Sequence, residues 1–357
     1  MTKKIVTLAG DGIGPEIMDA GLKVLEAVAK KTGFDYEIDA QPFGGAAIDV
    51  FGEPLPAKTL NAAKNADAVL LAAIGAPKYE NAKIRPEQGL LAIRKELGLF
   101  ANIRPIRVHP ALSHLSPLKV DKVKGIDFVI VRELTGGIYF GEPRVLEAEH
   151  AVDTNVYSAD EIRRIATYAF ELARTRRRKV TSVDKQNVLA TSKLWRNVVE
   201  DVHKNYPDVT LEHQLVDSCA MILITDPKRF DVIVTENLFG DILSDEASVL
   251  PGSLGLMPSA SHGARKGSAG GGNPSLYEPI HGSAPDIAGK GIANPLAMIL
   301  SVAMMLGQSF GDLTAQKLIE SATDSVLTSG ILTPDLGGNA STEEVTGAVV
   351  QWLMSKE

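Results

Sequence analysis

Cysteine is almost absent from this sequence, because Cys219 is the only one among 357 residues. A single thiol excludes an internal disulfide and a thiolate metal cluster, and it fits a reducing compartment. Long hydrophobic runs are also lacking. Lys3 and Lys4 precede an apolar run that Asp11 already interrupts, which is too short for the core of a signal peptide. Residues 298–306 form an apolar run too short to cross a bilayer. We therefore expect a cytoplasmic protein.

Positive charge is in deficit, since 37 basic residues face 44 acidic ones and the formal net charge is −7. This balance argues against a general nucleic-acid binder, whose affinity depends on neutralising phosphates. The basic run at residues 174–179 follows a helical pattern, where it complements the C-terminal end of the helix dipole. The remaining composition, 45% hydrophobic and 23% charged, is typical of a soluble globular protein, and the length suffices for two domains.

Short apolar segments alternate with helical patterns along most of the chain. We predict strands or extended segments at residues 5–9, 66–74, 101–105, 127–132, 180–184, 211–216 and 233–235. We predict helices at residues 15–31, from 86, at 159–173, from 241 and from 296. Several predicted strands end in charged residues, which is typical of α/β active sites. The pattern therefore predicts an α/β fold.

A glycine-rich turn follows the first predicted strand. Glycines occupy alternate positions of residues 10–14, and Pro15 begins a helix. Strand, turn and helix resemble a Rossmann dinucleotide site, and Glu37 or Asp39 lies roughly where the ribose-binding acid would be. However, Pro15 occupies the position of the third glycine of that motif. We predict a tight turn near a ligand, but not the Rossmann cradle.

Asp241 and Asp245 lie four residues apart in a predicted helix that Asp241 opens after Gly240. They would share one helix face, and the repulsion between their charges calls for a compensating cation. Carboxylate oxygens are the ligands that Mg²⁺ or Mn²⁺ prefers. The alternative is that Asp241 is an N-cap and Asp245 a solvated carboxylate. The pair alone does not decide between these interpretations.

The helical pattern from residue 86 places Glu87, Leu90, Leu91 and Arg94 on one face. An ordinary amphipathic helix would explain the leucines, but Arg94 would then need an anionic partner. Two more arginines, Arg104 and Arg132, lie in or at the end of predicted strands. Guanidinium groups bind carboxylates bidentately, so the three suggest an anion site, although each alone is more often a surface ion pair.

Two later segments have the composition of loops. Residues 259–274 are rich in glycine and serine, which predicts a mobile loop. Residues 278–295 are dense in turn formers and show little helical or strand pattern. Long irregular loops in compact domains are often functional. We expect the second segment to contribute to a binding site.

Six motifs together resemble the isocitrate/isopropylmalate dehydrogenase family of β-decarboxylating dehydrogenases. In order they are GDGIGPE, GLLAIRKELGLFANIRP, VRELTGGIYFGEPR, VDKQNVL, ENLFGDILSDEASVLPGS and HGSAPDIAGKGIANP, and they span essentially the whole chain. The helix segment EQGLL at residues 87–91 resembles the isopropylmalate branch of the family. Departures are Ala73 and Ala76, where glycines are common, and a longer glycine-rich loop before Tyr277. The longer loop would change the geometry of the cofactor lid but not the chemistry of the reaction.

The resemblance implies an isopropylmalate dehydrogenase-like two-domain α/β fold with a non-Rossmann cofactor site. Residues 1–99 plus 252–357 would form a discontinuous cofactor-binding domain, and residues 100–251 the substrate and dimerisation domain. It also implies a homodimer with shared active sites, to which the second chain contributes Lys185, Asn187 and Asp217. Neither nucleic acid nor a membrane is an expected partner.

The implied reaction belongs to leucine biosynthesis. NAD oxidises 3-isopropylmalate at C2, CO₂ leaves from C3, and protonation of the enol gives 4-methyl-2-oxopentanoate. In this scheme Lys185 is the base for the C2 hydroxyl, Tyr139 helps to protonate the enolate, and Asp217 completes the catalytic set. Mg²⁺ or Mn²⁺ would be bound by Asp217, Asp241 and Asp245. The substrate would be bound by Arg94, Arg104, Arg132 and Asp217, with an apolar pocket formed by Leu90, Leu91 and Val188.

The resemblance also assigns cofactor-binding residues. Asp286 would accept hydrogen bonds from the ribose hydroxyls and repel a 2′-phosphate, which favours NAD over NADP. The full set is Ile13, Glu87, Asn187, His281, Gly282, Ser283, Ala284, Pro285, Asp286, Ile287, Ala293 and Asn294. Alternatives within the class are activity on isocitrate, homoisocitrate, D-malate or tartrate. Outside it, a metal-dependent lyase or a non-catalytic protein could use the same fold.

Overall fold

The computed structural model describes residues 2–264 and 272–355. The chain forms two compact units, one made of Met1–Leu99 with Ser253–Glu357 and the other of Phe100–Gly252. The middle of the predicted glycine-rich loop, residues 265–271, lies outside the described residues. None of the helices in the described ranges is long and apolar enough to cross a membrane.

The strands, in chain order, are β1 (Lys3–Gly10), β2 (Tyr36–Ala40), β3 (Ala68–Ala73), β4 (Ala101–Arg107), β5 (Asp127–Glu133), β6 (Val145–Leu146), β7 (Ala151–Val152), β8 (Lys179–Asp184), β9 (Thr210–Leu215), β10 (Val232–Thr235), β11 (Pro258–His262) and β12 (Ser275–Pro279). The helices are α1 (Gly14–Thr32), α2 (Gly45–Phe51), α3 (Ala57–Lys64), α4 (Pro86–Glu96), α5 (Val120–Val123), α6 (Ala159–Arg174), α7 (Ala190–His203), α8 (Val216–Thr225), α9 (Asn237–Ser248), α10 (Leu296–Phe310), α11 (Leu313–Thr328) and α12 (Thr342–Ser355). Each predicted strand corresponds to one of these.

The first unit has the strand order β2-β1-β3-β12-β11. Its pairs are parallel except β11 with β12, which is antiparallel. All six residues of β3 are buried, as expected for a strand of a parallel sheet that is covered on both faces. Helices α1, α10, α11 and α12 pack against one another. A core cluster that includes Val6, Leu71 and Leu276 joins β1, β3 and β12.

The second unit has the strand order β4-β5-β10-β8-β9. Only β4 with β5 is antiparallel, so β5, β10, β8 and β9 all end at the same edge of the sheet. Helix α6 begins with a capping box, in which Ser158 Oγ accepts from the Glu161 N–H and Glu161 accepts from the Ser158 N–H. Its buried face carries apolar residues such as Ile162 and Phe170. The helix at residues 159–173 was therefore predicted to within one residue.

Two local predictions were wrong. Helix α9 begins at Asn237 and contains Gly240, whereas the sequence predicted a start at Asp241. Glycine is needed inside this helix because a Cβ at Gly240 would lie 2.6 Å from Cγ of Arg132. The beginning of the predicted loop at residues 259–274 is strand β11, which is buried throughout and pairs with β12.

Candidate active site

Helix α9 carries two carboxylates whose charges are compensated by arginines of neighbouring strands. Arg132, buried at the end of β5, donates from Nη1 to Asp241 and from Nε to Asn237 Oδ1 at 3.1 Å. Arg104 of β4 donates from Nη1 to Asp245 Oδ1 at 2.9 Å. The structure therefore brings two predicted arginines and two predicted metal ligands together. Their proximity follows from α9 succeeding β10, the strand next to β5.

Tyr139 joins the same group. Its hydroxyl donates to Asp241 Oδ2 at 2.9 Å, and the Arg132 guanidinium carbon lies 5.9 Å from the centre of its ring. Burial and the hydrogen bond to Asp241 both raise the pKa of Tyr139. The phenol therefore keeps its proton at neutral pH and can donate it to a strong base such as an enolate.

Lys185 and Asp217 form a second charged pair in the same unit. The Lys185 Nζ lies 2.6 Å from Asp217 Oδ1. The pair forms because β8 and β9 are parallel neighbours that end in register, with Asp184 opposite Leu215, and both residues follow those ends. The hydrogen bond from Lys185 holds the pKa of Asp217 below its ordinary value. Asn187 and Val188 lie in the turn after Lys185, and Val188 is 67% exposed.

A divalent cation fits the donor chemistry of α9, because Mg²⁺ and Mn²⁺ prefer carboxylate oxygens. Within the described residues, however, no three His, Cys, Asp or Glu side chains converge into a metal site. Asp241 and Asp245 belong to the α9 group, whereas Asp217 is paired with Lys185. One chain therefore offers two of the three predicted ligands together, and the third remains a prediction for a second chain.

Arg94, in the first unit, has an anionic partner that the sequence did not reveal. Its Nη2 donates to Glu278 Oε1 at 2.5 Å, and both side chains are largely buried. Arg94 Nε is also buried, and it has no hydrogen-bond partner among the described residues. An orphaned buried donor on a guanidinium favours a further anionic ligand. Arg94 can therefore keep its ion pair with Glu278 through Nη2 and still bind a substrate carboxylate through Nε.

The two leucines of α4 have different environments. Leu90 is partly buried and packs against the core cluster of the first unit. Leu91 is 50% exposed. Of the two leucines, only Leu91 is therefore exposed enough to contact an apolar ligand.

A cavity of about 320 Å³ lies in the first unit next to the predicted cofactor loop. Its lining contains three of the predicted cofactor residues, and the full set is Gly75, Ala76, Pro77, Tyr79, Glu80, Arg85, Glu87, Ser283 and Pro285. The N–H of Ile13 donates to Ser283 O at 2.8 Å, so the glycine-rich turn contacts this loop. Ala284 has φ 39°, a left-handed conformation that is uncommon for residues other than glycine.

His281, in the predicted cofactor loop, has a hydrogen-bond acceptor, Nε2, without a partner among the described residues. Its Nδ1 lies 2.9 Å from Gly282 O, so Nδ1 is the donor. Burial lowers the pKa of His281, which keeps the ring neutral, and the buried Nε2 has no partner among the described residues. Of the remaining predicted residues, Asp286 is exposed, Ala293 N–H donates to Glu16, and Asn294 donates to Asp335. The orphaned His281 Nε2 and the exposed Asp286 carboxylate can accept hydrogen bonds from a polar ligand such as a nucleotide.

Comparison with known proteins identifies the family. The model of the isocitrate/isopropylmalate dehydrogenase family matches residues 4–349. The chain belongs to this family. Its α/β units and the resemblance inferred from the six motifs are thereby confirmed.

Named relatives cover the whole chain. It is 69% identical to a 3-isopropylmalate dehydrogenase of Streptococcus thermophilus over 99% of its length and 100% of the relative's. It is 60% identical to one of Listeria monocytogenes over both full lengths. Among solved structures, an isocitrate dehydrogenase from Methylococcus capsulatus has a TM-score of 0.86 at 38% identity, covering 99% of each chain. A β-decarboxylating dehydrogenase from Thermococcus kodakarensis has a TM-score of 0.82 at 37% identity, covering 99% of this chain and 96% of the other.

Several residues around the candidate site were not predicted from the sequence. Glu278 pairs with Arg94, and Asn237 binds Arg132. Tyr79 and Arg85 line the cavity beside Glu87. The motif context alone could have pointed to Glu278, because it opens the irregular segment that contains the cofactor loop.

Proposed function

We propose that this chain catalyses the NAD-dependent oxidative decarboxylation of 3-isopropylmalate in leucine biosynthesis. The products are 4-methyl-2-oxopentanoate, CO₂ and NADH. The observation that carries the proposal is full-length identity of 69% with a relative named 3-isopropylmalate dehydrogenase. Support also comes from the two charged groups of the second unit, which contain a protonated phenol, a lysine, two arginines and three carboxylates.

Each step of this reaction has a residue to perform it. Arg94, Arg104 and Arg132 bind the substrate carboxylates, since guanidinium groups pair with them bidentately. Lys185, in its neutral amine form, accepts the proton of the C2 hydroxyl; in the free chain its Nζ lies 2.6 Å from Asp217 Oδ1. Tyr139 returns a proton to the enolate after CO₂ has left. Asp217, Asp241 and Asp245 would hold Mg²⁺ or Mn²⁺, which when bound would supply Lewis acidity.

Leu90, Leu91 and Val188 form the apolar pocket for the isopropyl group; Leu91 and Val188 offer exposed side chains, whereas Leu90 is partly buried against the core cluster. Support for this assignment is the exposure of Leu91 and Val188, at 50% and 67%, in the free chain. Burial of such side chains against an alkyl group is favourable, whereas malate lacks that group. These residues therefore contribute to recognition of the substrate's apolar part.

The first unit binds NAD. Glu87 contacts its nicotinamide side, together with Asn187, which the second chain contributes from its second unit. Ile13 and the loop of residues 281–287 also bind the cofactor, and His281, Gly282, Ala293 and Asn294 line the adenosine pocket. Support comes from the cavity beside Ser283 and from the orphaned acceptor on His281. Asp286 selects against the 2′-phosphate of NADP by charge repulsion.

The active enzyme is a cytoplasmic homodimer, and the second unit makes the dimer contact. Support comes from large apolar side chains exposed on two adjacent helices and just after the second one: Met221 and Ile224 of α8, Ile242 of α9, and Val249, which follows α9. Exposed apolar patches of this kind mark interaction sites. In a twofold dimer each chain donates Lys185, Asn187 and Asp217 to the other and receives the same groups. The buried lone thiol of Cys219 fits a reducing compartment.

Activity on isocitrate is the second candidate, because the Methylococcus capsulatus structure is an isocitrate dehydrogenase with a TM-score of 0.86. A substrate panel decides between them. NADH formation is measured with 3-isopropylmalate, isocitrate, homoisocitrate, D-malate and tartrate, in the presence of Mg²⁺, with Lys185→Ala as the inactive control. We expect the highest kcat/KM with 3-isopropylmalate. A higher value with isocitrate would overturn the proposal.

A further inference from the structure

The carboxylate of Asp11 is bound by three backbone N–H groups from two other segments. Oδ2 accepts from Gly45 at 2.8 Å and from Gly75 at 2.9 Å, and Oδ1 accepts from Ala46 at 2.8 Å. Asp11 is only 7% exposed. This residue belongs to the glycine-rich turn whose Rossmann interpretation failed. The Asp11 carboxylate therefore holds the backbone at residues 45–46 and at Gly75 against the glycine-rich turn.

The surrounding glycines allow this close approach. A Cβ at Gly44 would lie 2.8 Å from Asp11 Oδ2, and a Cβ at Gly45 would lie 2.9 Å from Oδ1. Gly75 adopts φ 111°, which side-chain-bearing residues rarely adopt. Larger residues at these positions would push the backbone away from the carboxylate.

The glycine-rich turn and the two segments bound by Asp11 contact the lining of the cavity at three places. Gly75 lines it directly. Helix α2, which begins at Gly45, carries Asp49, and Asp49 accepts from the hydroxyl of the cavity residue Tyr79 at 2.5 Å. On the other side of the turn, the N–H of Ile13 donates to the carbonyl of Ser283, also a cavity residue. Contacts of one turn thus fix three separate parts of the lining.

We propose that Asp11 is a positioning residue for the cofactor, and that it acts through Gly75, α2 and Asp49 to hold the NAD pocket in its binding shape. The inference rests on the proposed NAD-dependent function. Loss of the carboxylate would leave buried N–H groups without acceptors, so the Gly75 segment and α2 would relax. The residues of the second unit are not part of this arrangement. Its loss therefore changes cofactor affinity more than substrate affinity.

The test compares Asp11→Asn with the wild type by titrating NADH and following its fluorescence. The asparagine keeps the size of the side chain but turns an N–H group towards backbone donors. We expect the Kd for NADH to rise roughly tenfold, as for loss of a buried charge-assisted hydrogen bond. In steady-state assays the KM for NAD should rise in the same proportion, while the KM for 3-isopropylmalate stays within about twofold of the wild-type value.

Asp312→Asn is the matched control, because Asp312 accepts from the N–H of Ala315 at the start of α11, in the same unit. It should lower Tm without changing the Kd for NADH. An unchanged Kd in folded Asp11→Asn would overturn the inference, as would parallel increases in both KM values. If Asp11→Asn fails to fold, Asp49→Asn replaces it, and we expect its Kd for NADH to rise about two- to threefold. An unchanged Kd in folded Asp49→Asn would then overturn the inference. Wild-type protein that binds no NADH would instead overturn the proposed function.

Discussion

Tyr139 donates its hydroxyl hydrogen to Asp241 Oδ2 at 2.9 Å, while the other oxygen of Asp241 accepts from Arg132. Both oxygens of this carboxylate are therefore occupied in the free chain. A cation bound by Asp241 must share or replace these contacts, which links cation binding to the placement of the phenol and the guanidinium.

Removal of divalent metal should abolish activity. With excess EDTA we expect no NADH formation, and Mg²⁺ or Mn²⁺ should restore it. Asp241→Asn should raise the Mg²⁺ concentration for half-maximal activity by roughly tenfold or more. Glu246→Gln, a change to the adjacent acid of α9, should leave it unchanged. Full activity in EDTA would contradict the metal assignment.

Leu91→Ala should alter substrate choice. Each buried methylene is worth roughly 0.8 kcal/mol, and about half of the Leu91 side chain remains to be buried by a ligand. Loss of its three outer carbons should therefore cost about 1.2 kcal/mol and lower kcat/KM for 3-isopropylmalate by roughly tenfold, and that for malate little. Leu91 is half exposed, so Tm should change by little. Leu90→Ala, in contrast, should lower Tm because Leu90 packs against the core. Equal losses on both substrates with Leu91→Ala would exclude contact with the isopropyl group.

Glu236 should make stability depend on pH. Burial raises its pKa to about 7 from an ordinary 4.5, Asp184 adds to the rise, and a hydrogen bond from Asn155 opposes it. The folded state therefore disfavours the charged form, so stability falls as pH rises from 4.5 to 7. Glu236→Gln should be more stable than the wild type by roughly 3 kcal/mol at pH 8, with little difference near pH 4.5.

Thermal unfolding of both proteins between pH 4.5 and pH 8 measures this effect. We expect the Tm difference to grow with pH and to level off above the folded-state pKa. A difference that does not vary with pH would show that Glu236 is not destabilising when charged.

Cofactor choice should respond to the loop after Pro285. Asp286→Lys with Ile287→Tyr should reduce kcat/KM with NAD and increase it with NADP, because repulsion of the 2′-phosphate becomes attraction. Asp312→Lys makes the same charge change elsewhere in the first unit and should leave the ratio unchanged. An unaltered ratio in the folded double variant would place the ribose at another residue.

The sequence was informative wherever the determinants are local. Strand β3 is a continuous apolar run, and α1 begins with Pro15 in its first turn and ends at Gly33, which has φ 75°. The charged residues that follow parallel strands were also predictable, since such strands end at one edge. Lys185, which directly follows β8, is an example.

Long-range contacts could not be predicted in this way. Arg94 and Glu278 are 184 positions apart, and no periodic pattern links them. The start of α9 was misplaced because Gly240 looks like a helix breaker until Arg132 is seen to cover it. Asp11 looked like a turn residue, although its three donors come from segments 34 to 64 positions away. These features depend on tertiary packing and not on local propensity.

Asp241 is paired with Tyr139 and Asp217 with Lys185, and within the described residues no three carboxylates converge into a metal site. A two-chain active site is therefore the central claim. Tyr139→Phe and Lys185→Ala homodimers should each be nearly inactive, because both of their sites carry a lesion. In a mixed dimer one site is intact and the other carries both lesions. Random pairing makes about half of the dimers mixed.

The most direct measurement is therefore NADH formation after the two variants have been refolded together in equal amounts. Mass spectrometry under native conditions counts the mixed dimers, and each variant refolded alone provides the control. If the site is shared, activity should recover to roughly a quarter of the wild-type value. If every site is built within one chain, mixed dimers will be present and activity will stay at the level of the separate variants, which would contradict the account.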